Sequence, residues 1–184
     1  MSFMCAILNE FIFKDENMRF LWLFLGVFFM TNAIASNFAI VSNAFKEGEK
    51  IPTQYSCKGE DISPKFEWSN APANTQSFAL ICADPDAPMG TWYHWVLYNI
   101  PKNTTKIEEN TTPTNSILGK NSWGKNTYNG PCPPPGQTHH YVFTLYALDT
   151  QLNLPNDADA KQVESAIKNH VIGSAKMTGL FRVY

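Results

Sequence analysis

Two short stretches hold most of the side chains that could do chemistry. The first is Asp84–Pro85–Asp86–Ala87–Pro88, followed by Trp92, His94 and the apolar run Trp95–Ile100. The second is Gly130–Pro131–Cys132–Pro133–Pro134–Pro135–Gly136, followed by His139–His140–Tyr141. Carboxylates and large aromatic rings are normally segregated between surface and core, so their mixture in one turn needs a reason. Together the two stretches are expected to form two walls of a small anion-binding pocket. Imidazole N–H groups of His94 and His139 can donate to phosphate oxygens, and backbone N–H groups near Gly130 can add donors. The prolines fix the loop shape at little entropic cost, so the pocket should exist before its ligand arrives. An aspartate beside an anion has three uses: to orient a histidine, to be protonated, or to meet a cationic group on the ligand. The orienting role is the one expected for Asp84. With imidazoles near pKa ~6.5, anion affinity should strengthen as pH falls through that region.

Strands must carry these groups to one place. Alternation along Tyr141–Leu148 puts His139, Tyr141, Phe143 and Leu145 on one side and His140, Val142, Thr144 and Tyr146 on the other. The same rule groups His94 with Val96 and Tyr98, opposite Trp95, Leu97 and Asn99, and aligns Leu80, Cys82 and Asp84. Asp84, His94 and His139 therefore each stand at the mouth of a buried strand. Further strands are expected over Phe38–Phe45, Ile51–Tyr55, Lys65–Trp68, Ser77–Ala83, Trp95–Ile100 and Met177–Tyr184. Lys102–Asn115 reads as a surface loop with Asn-x-Thr sequons at Asn103 and Asn110. One helix is expected from Asp159 to Asn169, with Asp157 or Asp159 as N-cap and His170 answering its C-terminal dipole. Many short strands with one late helix predict a mainly β protein, an antiparallel β-sandwich. Trp68, Phe78, Trp95, Phe143, Tyr146 and Phe181 are assigned to its core.

The chain has 184 residues, one domain's worth, with 14 Lys and Arg against 16 Asp and Glu, a net charge of −2. With no basic excess, nucleic acid is not the expected partner. Met18–Arg19, the apolar Phe20–Met30 and Ala33–Ile34–Ala35 have the order of a secretory leader. This divides the chain into 1–35, an upstream extension plus signal peptide, and 36–184, the folded domain. The start codon is either Met1 or Met18. The apolar run is short of the ~20 residues that span a bilayer, so export to the periplasm or the medium is expected rather than anchoring. Export leaves Cys57, Cys82 and Cys132. Cys82 reads as a core thiol, whereas Cys57 and Cys132 lie in Gly- or Pro-rich loops where an oxidising compartment would let them pair or remain free. No Cys-x-x-Cys spacing points to structural zinc.

The ordered blocks also carry a resemblance. Asp84–Pro88, Gly90–Pro101, Gly119–Gly124, Tyr128–Pro133 and His139–Tyr141 resemble the signatures of the phosphatidylethanolamine-binding protein family, in particular its bacterial Raf-kinase-inhibitor-like branch. Ile51–Pro52, Tyr55–Gly59, Ser63–Pro64 and Leu145–Asp149 match in order as well, so the likeness covers nearly all of Phe38–Tyr184. The resemblance implies a Greek-key β-sandwich with a C-terminal helix, short peripheral helices and a pocket for phosphate-like anions at one end. It implies pocket roles for Asp84, Trp92, His94, Gly130, Pro131, His139 and Tyr141, with Asp86 and Pro88 in the flanking turn. The family usually has arginine where this chain has His140, which removes an ion pair expected beneath the pocket.

These readings imply a non-enzymatic, exported binder of a phosphate-bearing small molecule or lipid headgroup, with peripheral membrane contact and without a cofactor. One alternative is an interaction module that inhibits a protein kinase or protease. Another is a metal-dependent hydrolase built on the carboxylates and histidines, although Asp84 and Asp86 are parted by a proline and no His-x-x-x-His spacing supports chelation. A serine hydrolase would need a Gly-x-Ser-x-Gly that the chain lacks.

Overall fold

The computed structural model describes residues 37–184. The leader expected over 1–35 and its cleavage point lie outside the described residues. Among the described residues eight strands form two sheets. The smaller has the order β1 (Ala39–Val41), β2 (Phe66–Ser69), β5 (Lys106–Ile107). The larger has the order β6 (Ile117–Leu118), β4 (Trp92–Pro101), β3 (Ser77–Asp84), β7 (Thr138–Leu148), β8 (Val171–Arg182). Every strand pairing is antiparallel. Strands β3, β4 and β6 form a meander, and β7 returns to lie beside β3, the spatial order of a Greek key.

Two apolar layers follow from strand alternation. Ile40, Phe66 and Trp68 of the small sheet meet Phe78, Leu80, Trp95, Leu97, Phe143 and Leu145 of the large one. On the other face of the large sheet, Ala79, Ile81, Val96 and Tyr98 are covered by Ala160, Val163 and Ile167 of helix α1 (Ala160–Ile167). Both faces of β3 are thus buried, which is why Ser77–Ala83 is apolar without alternation. A capping box starts α1: the Asp159 carboxylate accepts from Gln162 N, and the Gln162 side chain accepts from Asp159 N. Among the described residues no helix is long and apolar enough to cross a membrane.

Several expectations are corrected. Ile51–Tyr55 is not a strand; a 3-10 turn occupies Thr53–Tyr55, because Pro52, with φ −58°, has no N–H for a ladder. The last strand begins at Val171 rather than Met177: Val171 and Ile172 are exposed, and the alternating buried row starts only at Ala175, so the stretch Val171–Ser174 lacks the in–out pattern. The loop after Pro101 contains β5, held by the buried Ile107. His170 bonds Asp149 Oδ1 at 2.8 Å instead of serving only the helix terminus.

Candidate functional site

The strand-end residues do meet, but by a route that alternation alone does not give. Cys82 pairs with Trp95 and Ala83 with Tyr93, so His94 is an extra, unpaired residue in β4. This bulge turns His94 onto the inner face together with Trp95, away from Val96 and Tyr98. Tyr93 stays on the outer face, where its hydroxyl donates to Glu164 of α1 at 2.8 Å. Strict alternation, which placed His94 with Val96 and Tyr98, is wrong at this point. The bulge brings the His94 ring to 5.0 Å from the Tyr141 ring, edge to face.

Asp84 closes β3 and is buried. Its Oδ2 lies 2.7 Å from His139 Nδ1, and its Oδ1 accepts from Asp86 N at 2.9 Å. The second bond shapes the turn after β3, since an Asp oxygen capping a backbone N–H two residues on is a common turn device. Both His139 ring nitrogens have partners, since Nε2 lies 3.2 Å from the side-chain amide of Gln137. The His94 Nδ1 lies 2.8 Å from the Asn129 carbonyl and 3.2 Å from that of Gly130. Carbonyls only accept, so Nδ1 carries the proton and the neutral ring turns a bare lone pair outward on Nε2. Burial holds the His94 pKa below the ordinary imidazole value, against the backbone carbonyls of Asn129 and Gly130 and the Asp84 charge, which pull it up. Tyr141 is fully buried, and its Oη lies close to the Cys132 backbone N–H and the Asp84 carboxylate without closing a hydrogen bond of ordinary geometry to either. Burial first, then the Asp84 charge, holds that phenol well above its ordinary pKa, so it remains a donor.

The second wall is braced from behind. Of the backbone N–H groups expected as donors near Gly130, that of Gly130 itself is taken by Asp61 Oδ1 at 2.6 Å, and Asn129 Nδ2 reaches Asp61 Oδ2 at 3.3 Å. Cys57 N donates to the buried Pro131 carbonyl at 3.2 Å, and Cys57 and Cys132 form a disulfide with Cα atoms 5.5 Å apart. Cys82 is a buried free thiol. Gly130 is required by space: a Cβ there would stand 2.1 Å from the Tyr55 carbonyl oxygen.

Trp92 reaches the cluster through Trp123, whose ring is 5.3 Å from Trp92 and 5.0 Å from His94. Two expected residues stay outside it. The Asp86 carboxylate accepts from His140 N and Nδ1, both at 2.7 Å, and these bonds hold its pKa below the usual value. Pro88 is exposed. Asp86 therefore braces the outer face through His140. Sequence reasoning missed Asp61, Trp123 and Gln137. Asp61 was hidden in a turn, and its positive φ of 58° was the kind of conformation only a structure reveals. A cleft of about 500 Å3 lies beyond Trp92, lined by Met89, Thr91, Lys120, Ser122 and Lys161 among others, and it does not include the Asp84–His139 pair. Among the described residues no group of three His, Cys, Asp or Glu side chains is placed to hold a metal ion.

A Greek-key sandwich with an acid and two imidazoles gathered at one sheet end matches a known class. The family model described as phosphatidylethanolamine-binding protein covers residues 41–182, and the chain belongs to that family. A UPF0098 protein of Methanothermobacter thermautotrophicus is 47% identical over 146 residues, which are 77% of this chain and 96% of that one. A protein of Mycobacterium tuberculosis named "Putative lipoprotein LppC" is 40% identical over 148 residues, 80% of this chain and 73% of its own. Among solved structures, YbcL of E. coli, described as a member of the mammalian PEBP family, superposes with a TM-score of 0.76. That pair is 32% identical, with 81% of this chain and 100% of YbcL covered.

Proposed function

We propose that this protein is an exported binder of a small phosphate-bearing ligand, a free phosphate ester or a headgroup, and that it turns nothing over. The observation that carries the reading is the buried, unsatisfied hydroxyl of Tyr141 beside His94 and Asp84. An unsatisfied buried donor costs about 1–3 kcal/mol, and at this one, beside His94 and Asp84, a bound anion would relieve the cost. An anion oxygen is the partner the reading supplies. Export is supported by the leader-like order of the first 35 residues, by the disulfide, and by a relative carrying a lipoprotein name.

Titration calorimetry with inorganic phosphate and with phosphoethanolamine tests the reading. Wild-type protein should bind at least one of them, and His94→Ala should weaken it by roughly 1–3 kcal/mol. Saturable binding that is indifferent to His94→Ala and Tyr141→Phe would place the anion elsewhere. A second reading, inhibition of a protein kinase or protease, draws on Met89 and Trp123, which are 92% and 41% exposed at this end of the molecule. Capture of such a partner that phosphate competes away would favour it.

A further inference from the structure

The donors and acceptors around His94 bear on what form of anion fits. This inference rests on the phosphate-binding reading and adds a proton to it. The Nδ1–H of His94 is spent on the carbonyls of Asn129 and Gly130, so the neutral ring has no N–H left to give. His139 is likewise occupied, by Asp84 and Gln137. The Gly130 N–H is held by Asp61. What remains are two donors, the Tyr141 hydroxyl and the Cys132 backbone N–H beside it, and two acceptors, His94 Nε2 and the Asp84 carboxylate. Around His94, β3 presents Asp84, already paired with His139 of β7 at 2.7 Å. Strand β7 also presents Tyr141, the 121–130 loop presents Trp123 and two carbonyls, and behind that loop lies Asp61. A fully ionised phosphate monoester would set two negative charges beside Asp84 and a lone pair.

We propose that the site takes its anion together with one proton, shared between a phosphate oxygen and His94 Nε2. The proton comes in on the ligand as P–O–H, or from solvent onto the imidazole. Either way, one N–H–O link forms, and the complex holds one proton more than neutral His94 plus the dianion. The ligand class follows: a phosphate monoester, whose second ionisation lies near pKa ~6, brings this proton readily. A phosphodiester or sulfate has none to bring near neutrality. It binds only when the buried His94 itself is protonated.

The test is calorimetry on the mature protein with phosphoethanolamine and glycerophosphoethanolamine, a monoester and a diester of the same headgroup, with inorganic phosphate as the third arm. At pH 8, repeating each titration in buffers of different ionisation enthalpy should show close to one proton taken up per monoester bound. Affinity should fall about tenfold per pH unit above the ligand's second ionisation and level off below it. The diester should bind more weakly than the monoester above about pH 6. His94→Asn, which keeps an N–H for the Asn129 carbonyl but has no atom at Nε2, should abolish the uptake. Equal affinity for monoester and diester at pH 8, or uptake near zero there, overturns the proton while leaving anion binding intact. No binding of any arm at any pH overturns both.

Discussion

Replacing Tyr141 with phenylalanine should stabilise the unliganded protein and weaken the liganded one. Tyr141 is 0% exposed, and its Oη closes no hydrogen bond of ordinary geometry. Folding therefore strips water from the hydroxyl and returns nothing, at a cost of about 1–3 kcal/mol. The ring itself packs against His94 at 5.0 Å, and phenylalanine preserves that contact. Deleting the oxygen leaves a space smaller than a methyl group, so the lost packing offsets part of the gain, and a net stabilisation of about 1 kcal/mol is expected. In a domain of about 150 residues that raises the melting temperature by roughly 2–4 °C. Bound anion reverses the sign, because a hydrogen bond to a charged group is worth about 1.5–3 kcal/mol. The assay is thermal unfolding of both proteins with and without a saturating concentration of inorganic phosphate. The variant should melt higher without the ligand and gain less from it. A variant that melts several degrees lower in the absence of anion would show that the hydroxyl has a partner in the free protein, and the argument for a waiting donor would fail.

Three other outcomes follow from the same geometry. The folded-state pKa of His94 is depressed, so the unfolded chain binds its proton more readily; stability should be full above about pH 6.5 and decline as pH falls below it, and His94→Asn should flatten that limb in denaturant midpoints taken between pH 7.5 and 5. Reducing the Cys57–Cys132 bridge, which spans 75 residues, should lower stability by about 2–4 kcal/mol, read from urea midpoints with and without reductant. Gly130→Ala should cost about 1–3 kcal/mol or more, because the added methyl meets the Tyr55 backbone rather than a side chain that can swing away, and a thermal shift of the purified variant checks it.

Much of this protein was legible in its sequence because alternation is a local property. The core-facing rows Leu80–Cys82–Asp84 and His139–Tyr141–Phe143 were read from period-two patterning and appear as such. The Asp159 cap needed only the spacing of Asp159 and Gln162 around an amphipathic run. The disulfide was open from the sequence, since pairing depends on two loops 75 residues apart coming within reach.

What the tertiary structure decided is where each hydrogen goes. The extra residue in β4 depends on how that strand registers against β3, a pairing between separate segments, and it alone turns His94 inward. Asp61, distant in sequence, takes the Gly130 N–H, and backbone carbonyls take the His94 proton. Residue types announced an anion site with imidazole donors; the folded chain consumes those donors internally and leaves a phenol, the Cys132 N–H and a lone pair. The physical reason is that donor availability is set by every neighbour at once, whereas a sequence motif records only which groups are present.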